Sequence, residues 1–434
     1  MEHNGLPMSE GAGAGFLNAF SQTKIGNDTI FSWWARYQEA VSEGHDAVNG
    51  TIGALLEDNG ELAINSVVDK VVRESPPVEI SAYAPLKGLP AFLDLSITLA
   101  LGDMRDELEN IGMNMTSTAS PGGSGALFLA AANFADRGDK VLLRNRHWGP
   151  YDGFLAGCDL GIATYPLLPS KDVKNSYLDL SSLKNELSNL CNSQSKVMSW
   201  LNDPAHNPTG LSLTRKDRTD LLKCFIDSSL EHQDVSHTLL IDAAYHLYAE
   251  QPHGWADTIC QVLHDGISWP DNLLVTFSLS LSKSHTIYGL RAGALVTLHP
   301  DKQVTDKIAT VMGVTGRQTW SATSRLAQYS VSHIHSDEEL GQQWDEERER
   351  LQIILEKRRE LFIQECKKHN VPINPTHDGF FAWMESEDPV HVANECAKMQ
   401  VYLVPLTGGV RIGLCAIPTE KIPRVAKALA KALS

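Results

Sequence analysis

Between residues 61 and 320, short apolar runs alternate with longer stretches whose apolar residues recur every three or four positions. Five runs read as strands: Lys140–Leu143, Val197–Trp200, Leu239–Ile241, Leu273–Phe277 and Gly293–Thr297. Runs without polar alternation are buried on both faces, which is how the strands of a parallel sheet read. The segments between them are helix-sized. Repeated strand–helix alternation predicts an α/β fold, a mainly parallel central sheet with helices on both faces.

Residues 338–368 carry a different pattern. Apolar Leu351, Ile354, Leu355, Leu361 and Phe362 sit among dense charge, predicting one long helix whose charged residues form a solvated face. Such a helix leads from a large domain into a smaller α+β domain. Residues 1–30 are rich in Gly, Ser and Asn and read as a loose arm. The expected layout is an arm and part of the small domain over 1–60, a large ligand-binding domain over 61–320, and the interdomain helix with the C-terminal small domain over 321–434.

Composition narrows the function. A chain of 434 residues with 42% hydrophobic and 21% charged residues is an ordinary globular protein of two or three domains. The net charge of −16 argues against nucleic acid and against an anionic membrane surface. A small anionic substrate stays open, because exposed fields are screened within about 8 Å and a local arginine then decides. Seven cysteines, widely spaced and without a CxxC, read as free thiols in a reducing compartment, with no disulfide framework and no metal site. The N-terminus shows no basic segment followed by an apolar one, and no apolar stretch is long enough to span a bilayer; a cytoplasmic protein is expected.

Four segments place chemistry-bearing residues at strand ends, the edge of a parallel sheet where ligands bind. Ser120-Pro121-Gly122-Gly123-Ser124-Gly125 opens a helix, so its backbone N–H groups can cradle a phosphate; it can equally be a plain connection. Asn202-Asp203-Pro204-Ala205-His206-Asn207-Pro208-Thr209-Gly210 is a tight turn able to aim the Asn207 amide at a ligand, or a turn and nothing more. Ile241-Asp242-Ala243-Ala244-Tyr245 ends a buried strand in an acid, which needs a cationic partner unless it caps a helix. Ser278-Leu279-Ser280-Leu281-Ser282-Lys283, followed by Tyr288-Gly289-Leu290-Arg291, offers a lysine that is a nucleophile if buried beside another cation and a surface residue otherwise.

Taken together, AHNPTG, DAAY, SLSK, YGLR and the later GGVRIGLCAI resemble the class I aminotransferases, the pyridoxal 5′-phosphate (PLP) enzymes of fold type I, and most closely the aspartate and aromatic aminotransferase branch. The motifs follow the family's order over residues 50–415. The resemblance implies that Lys283 is the Schiff-base lysine and proton shuttle, and that Asp242 pairs with the pyridine nitrogen. Asn207 and Tyr245 would bond the ring's phenolic oxygen, and Trp148 would stack on the ring face. Gly123, Ser124, Ser280 and Arg291 would hold the phosphate, joined by Tyr83 from the neighbouring subunit of a homodimer. Arg411 would clamp the substrate α-carboxylate beside Asn207 and Trp148, with Gly53 in the loop that covers it.

Arg317 lies 26 residues after Arg291 and 94 before Arg411, where dicarboxylate-specific members place a second arginine that acts across the subunit boundary. The implied reaction moves an amino group between an acidic, or else an aromatic, L-amino acid and a 2-oxo acid. The loop Asn49–Leu56 keeps Gly53 but departs from the family around it. That departure leaves a second reading open: a lyase, cyclase or decarboxylase with the same fold and cofactor.

Overall fold

The computed structural model describes residues 14–22, 24, 26, 28–170 and 176–434. Most of the stretch read as a loose arm thus lies outside the described residues. Its described part holds a helical turn at Ala14–Phe16 and a short helix at Ala19–Gln22; a longer helix follows over Thr29–Ser42. Among the described residues no helix is long and apolar enough to cross a membrane.

All five expected strands are present, as Lys140–Arg144, Lys196–Asn202, Ser236–Asp242, Leu273–Ser280 and Ala292–His299. With Asn114–Pro121 and Gly161–Tyr165 they form one seven-stranded sheet. Leu273–Ser280 and Ala292–His299 are buried along their whole length, matching their lack of alternation. Gly161–Tyr165, Lys140–Arg144, Lys196–Asn202, Ser236–Asp242 and Leu273–Ser280 pair in parallel. Ala292–His299 runs antiparallel to both of its neighbours, Leu273–Ser280 and Asn114–Pro121. The chain between Ser280 and Ala292 has room only for a short helix, Leu281–Ser284, and a turn, so it doubles back without a crossover. Helices such as Gly122–Asn133 and Pro90–Leu101 cover the sheet, and their Leu129, Ala130, Leu99 and Leu101 are buried.

A second core forms at the C-terminal end. Val404–Leu406, Gly409–Ile412 and Ala382–Glu385 make a three-stranded antiparallel sheet. Val48–Asn49 pairs in parallel with Val401–Tyr402, tying the N-terminal segment to this end of the chain. The predicted helix over 338–368 is observed as Glu338–Lys368; it starts with Trp344 in the large core and ends with Phe362 and Cys366 in the small one.

Its charge is not all solvated, which corrects the expectation for two positions. Arg358 is fully buried, donating to the carbonyl oxygens of Leu56 and Cys415 at 2.8 Å each and to Asp58 Oδ1 at 2.8 Å. Arg359 is buried against the carbonyl oxygens of Phe381 (2.9 Å) and Gly379 (2.5 Å), and burial draws its pKa down to about 10. Carbonyl clusters from the loops around Leu56, Gly379 and Cys415 need donors, and an arginine fork supplies several at once.

Candidate active site

The sheet's register assembles the site. Asn202, Asp242 and Ser278 are Cα partners across three adjacent parallel strands, all at their C-terminal ends. Three residues after the last of these strands, the short helix Leu281–Ser284 carries Lys283. Because Ala292–His299 is antiparallel, its beginning lies at the same edge, and so does Arg291 just before it. Asn114–Pro121 delivers Gly122, Gly123 and Ser124 there as the first turn of the helix Gly122–Asn133.

These residues meet in one cavity, lined by Gly123, Ser124, Trp148, Asn207, Asp242, Tyr245, Ser280, Lys283 and Arg291. Arg291 sits at φ +56°, a conformation that costs a non-glycine residue about 1 kcal/mol or more. That strain aims its guanidinium at Ser282 Oγ (3.1 Å) and the Tyr288 carbonyl (3.0 Å), beside Gly122. Gly122 itself is at φ +72°, and a Cβ there would strike the guanidinium. A Cβ on Gly123 would lie 3.0 Å from the Ser280 Cβ. Bare backbone is therefore required where helix N–H groups, two hydroxyls and a guanidinium converge, a donor set suited to a phosphate dianion.

Asp242 is 4% exposed. Tyr151 Oη donates to its Oδ2 at 2.5 Å, and the Ala244 N–H donates to its Oδ1 at 3.2 Å. Burial pushes its pKa up, opposed by Tyr151 and by the charge of Lys283. Lys283 is pulled the other way. Burial lowers its pKa to about 8; the Asp242 charge resists this and the Arg291 charge adds to it. The Asn207 Nδ2 donates to Tyr245 Oη at 3.5 Å, while the Asn207 Oδ1 is buried with no partner among the described residues. Burial raises the Tyr245 pKa, so its hydroxyl keeps its proton.

Arg411 opens onto a larger adjoining cavity, of which Trp148 and Asn207 also form part. It is 2% exposed, donates from Nη2 to the Thr51 carbonyl at 2.6 Å, and stacks over the Phe381 ring at 4.6 Å. Its Nε is buried without a partner among the described residues. Gly53 packs at the same place, where a Cβ would lie 3.1 Å from Phe381 Cζ and 3.9 Å from Tyr245 Oη. Tyr83 and Arg317 are not among the described residues that line these two cavities. Tyr83 is 89% exposed, and Arg317 ends the helix Lys302–Thr319 on the surface, donating to Ser321 Oγ at 2.6 Å.

Sequence reasoning missed Tyr151 and Asn202. Asn202 sits at the strand end inside a quoted motif and holds the Asp242 carbonyl at 2.8 Å through its side chain. Tyr151 comes three residues after Trp148, a spacing that puts both on one side of a helical turn.

The donor set fits PLP. A cradle without side chains faces a guanidinium and two hydroxyls, a buried carboxylate shares the cavity with a partly buried amine, and an amide oxygen lacks a partner among the described residues. Among known proteins, the family model for aminotransferase class I and II matches residues 46–429. The mitochondrial aspartate aminotransferase of Schizosaccharomyces pombe is 25% identical over 354 residues, covering 80% of this chain and 75% of that protein. The aromatic-amino-acid aminotransferase of Escherichia coli strain K12 is 24% identical, covering 93% and 97%. The crystal structure of an aminotransferase from Anaerococcus prevotii shares the fold, with a TM-score of 0.88 over 98% of this chain and 99% of that one at 24% identity. The chain belongs to the class I and II aminotransferase family, in the aspartate and aromatic branch, and is a PLP-dependent aminotransferase of fold type I.

Proposed function

We propose that this chain transfers the amino group of an acidic or aromatic L-amino acid to a 2-oxo acid, with Lys283 as the group that anchors the cofactor and then carries the substrate's α-proton. The observation that carries the reading is the pairing, in one cavity, of a partly buried Lys283 whose pKa is drawn to about 8 with a buried Asp242. When bound, PLP supplies a ring that accepts the electron pair released at the α-carbon.

The protein's own groups do the rest. Asp242, whose anionic form is favoured by its donors and by Lys283 against the effect of burial, would hold the pyridine nitrogen in its protonated form. Gly123, Ser124, Ser280 and Arg291 would hold the phosphate. Asn207 and Tyr245 would meet the ring's phenolic oxygen, and Trp148 would cover one face. A lysine near pH-neutral balance can take a proton from one carbon and return it to another. Arg411, with an unpaired Nε beside the larger cavity, would fork onto the α-carboxylate and so orient the bond to be broken.

We place Tyr83 and Arg317 across a homodimer boundary, reaching the partner's cavity. Exposed Val78, Ile80, Tyr83 and Leu86 support an interface there, since solvated apolar side chains clustered in sequence mark a covered surface. Arg317 in that position would favour a dicarboxylic substrate. The seven cysteines, six of them buried and all unbridged, are consistent with a reducing, cytoplasmic setting.

Borohydride treatment of the PLP-loaded protein, followed by peptide mapping, tests the anchor. Reduced cofactor is expected on the peptide containing Lys283; modification of another lysine, or of none, overturns the assignment. A screen of amino acids for loss of the bound cofactor's visible absorbance then reads out the donor.

A further inference from the structure

Tyr151 is a buried tyrosine, 1% exposed, that the reaction as described does not use. It stands on the helix Pro150–Gly157, while its hydrogen-bond acceptor ends a strand 91 positions later. Three rings fix its direction. Trp200 meets it edge-on at 5.1 Å and 82°, Trp148 at 5.7 Å and 83°, and His147 stacks parallel to it at 6.2 Å. His147 is itself held, with Nδ1 at 3.0 Å from the Arg144 carbonyl and Nε2 at 2.7 Å from Asp152 Oδ1. A ring gripped this way has one course for its O–H, and that course ends on Asp242 Oδ2.

We propose that Tyr151 is a positioning residue that acts through Asp242, holding the carboxylate ionised and turned toward the cavity so that it can pair with a protonated ring nitrogen. The proposal rests on the reading of Asp242 given above. Among the described residues each Asp242 oxygen has one hydrogen-bond donor, Tyr151 on Oδ2 and the Ala244 N–H on Oδ1, leaving lone pairs for a ligand. A phenol suits the task because it donates without adding charge. Burial and the neighbouring carboxylate both push its own ionisation far upward, so it remains a donor throughout the working range. The other titratable groups felt at Asp242 are Lys283, which steadies the anion, and Tyr245, which stays neutral.

The test is the affinity of the full chain, resolved of cofactor, for added PLP as a function of pH. Tyr151→Phe keeps the ring packing against Trp200 and removes only the donor. A hydrogen bond to a charged group contributes enough that the dissociation constant is expected to rise on the order of tenfold or more. Without the donor Asp242 protonates more readily, so the acid limb, below which PLP affinity is lost, is expected to move to higher pH by about one unit. Asp242→Asn should weaken PLP binding at least as much, and the double variant should bind no worse than Asp242→Asn alone, since Tyr151 acts only through that carboxylate. Melting of the cofactor-free Tyr151→Phe chain within a few degrees of wild type separates these effects from a packing defect. An unchanged affinity, an unmoved acid limb, or additive losses in the double variant overturns the proposal. If Asp242→Asn itself binds PLP normally, the assignment of Asp242 falls and takes this proposal with it; normal Tyr151→Phe beside a weakened Asp242→Asn defeats the role of Tyr151 alone.

Discussion

The ammonium nitrogen of Lys283 lies 5.2 Å from the centroid of the Tyr245 ring, enclosed with it in the same buried cavity. Its folded pKa of about 8 is below the 10.5 of an exposed lysine. The unfolded chain therefore binds more protons than the folded one between those two values, and stability rises with pH across that window. Below about pH 8 the full cost is present, up to about 3 kcal/mol for a shift of this size. The cofactor-free Lys283→Met variant is expected to be more stable than wild type at pH 7 by up to that amount, with the gap closing as the pH approaches 10.5. Urea denaturation at a series of pH values measures it; a gap that stays constant with pH contradicts the desolvated amine.

Arg411 is held by the Thr51 carbonyl on one nitrogen and by the Phe381 face, which leaves the rest of its fork for a carboxylate. A lysine keeps the charge but loses the planar two-point grip. Arg411→Lys is expected to raise KM for the amino acid on the order of 100-fold while PLP affinity stays within a few-fold of wild type, because the cofactor cavity is lined by other residues. Steady-state kinetics and a PLP titration on the same preparation separate the two. Equal losses in both would show that the arginine supports the fold of the site instead.

Arg317 bonds only to Ser321 among the described residues and stands at the surface of the chain. If it serves the partner's cavity, Arg317→Ala should lower kcat/KM for dicarboxylic amino acids on the order of 100-fold, as loss of one partner of a buried charge pair does. Aromatic amino acids, which offer it no charge, should change by no more than a few-fold. The ratio of the two kcat/KM values is the measurement, and a parallel fall in both removes Arg317 from specificity.

What could be read in the sequence was what strand ends advertise. Asp242, Lys283 and Asn207 each follow an apolar run, yet each taken alone also fits a cap, a surface residue or a plain turn; only the resemblance of the whole motif set implied their roles. Tyr151 gives no such signal, since a tyrosine in a short helix reads as packing and its partner is far off in sequence. Asn114–Pro121 escaped notice because its buried positions are Ser, Thr and Ala, small enough to let a helix start approach but carrying no apolar run. Arg358 and Arg359 were hidden in a charge run most of whose other members are more exposed. Burial of a long polar side chain depends on which loop carbonyls tertiary structure brings to it, and local pattern holds no record of that.

The turn that aims Asn207 is anchored from behind by a buried ion pair. Arg218 Nε lies 2.8 Å from Asp203 Oδ2, with side chains 1% and 0% exposed. Asp203 also accepts from Trp255 Nε1 and from the Leu213 N–H, each at 2.7 Å. Removing the guanidinium leaves a carboxylate in the interior with two neutral donors and no counter-charge, a loss of about 3–5 kcal/mol in comparable settings. Arg218→Ala is therefore expected to lower unfolding stability by that amount in urea denaturation. Asp203→Asn in the same background takes away the uncompensated charge and should restore part of the loss, a coupling that a double-mutant cycle reads directly. Because Asp203 lies four residues before Asn207, the single variant should also weaken PLP binding, and the double variant should regain some of it. Stability lost with no recovery in the double variant would mean that the arginine contributes through packing against Gly254, where its guanidinium fills the space a Cβ would take.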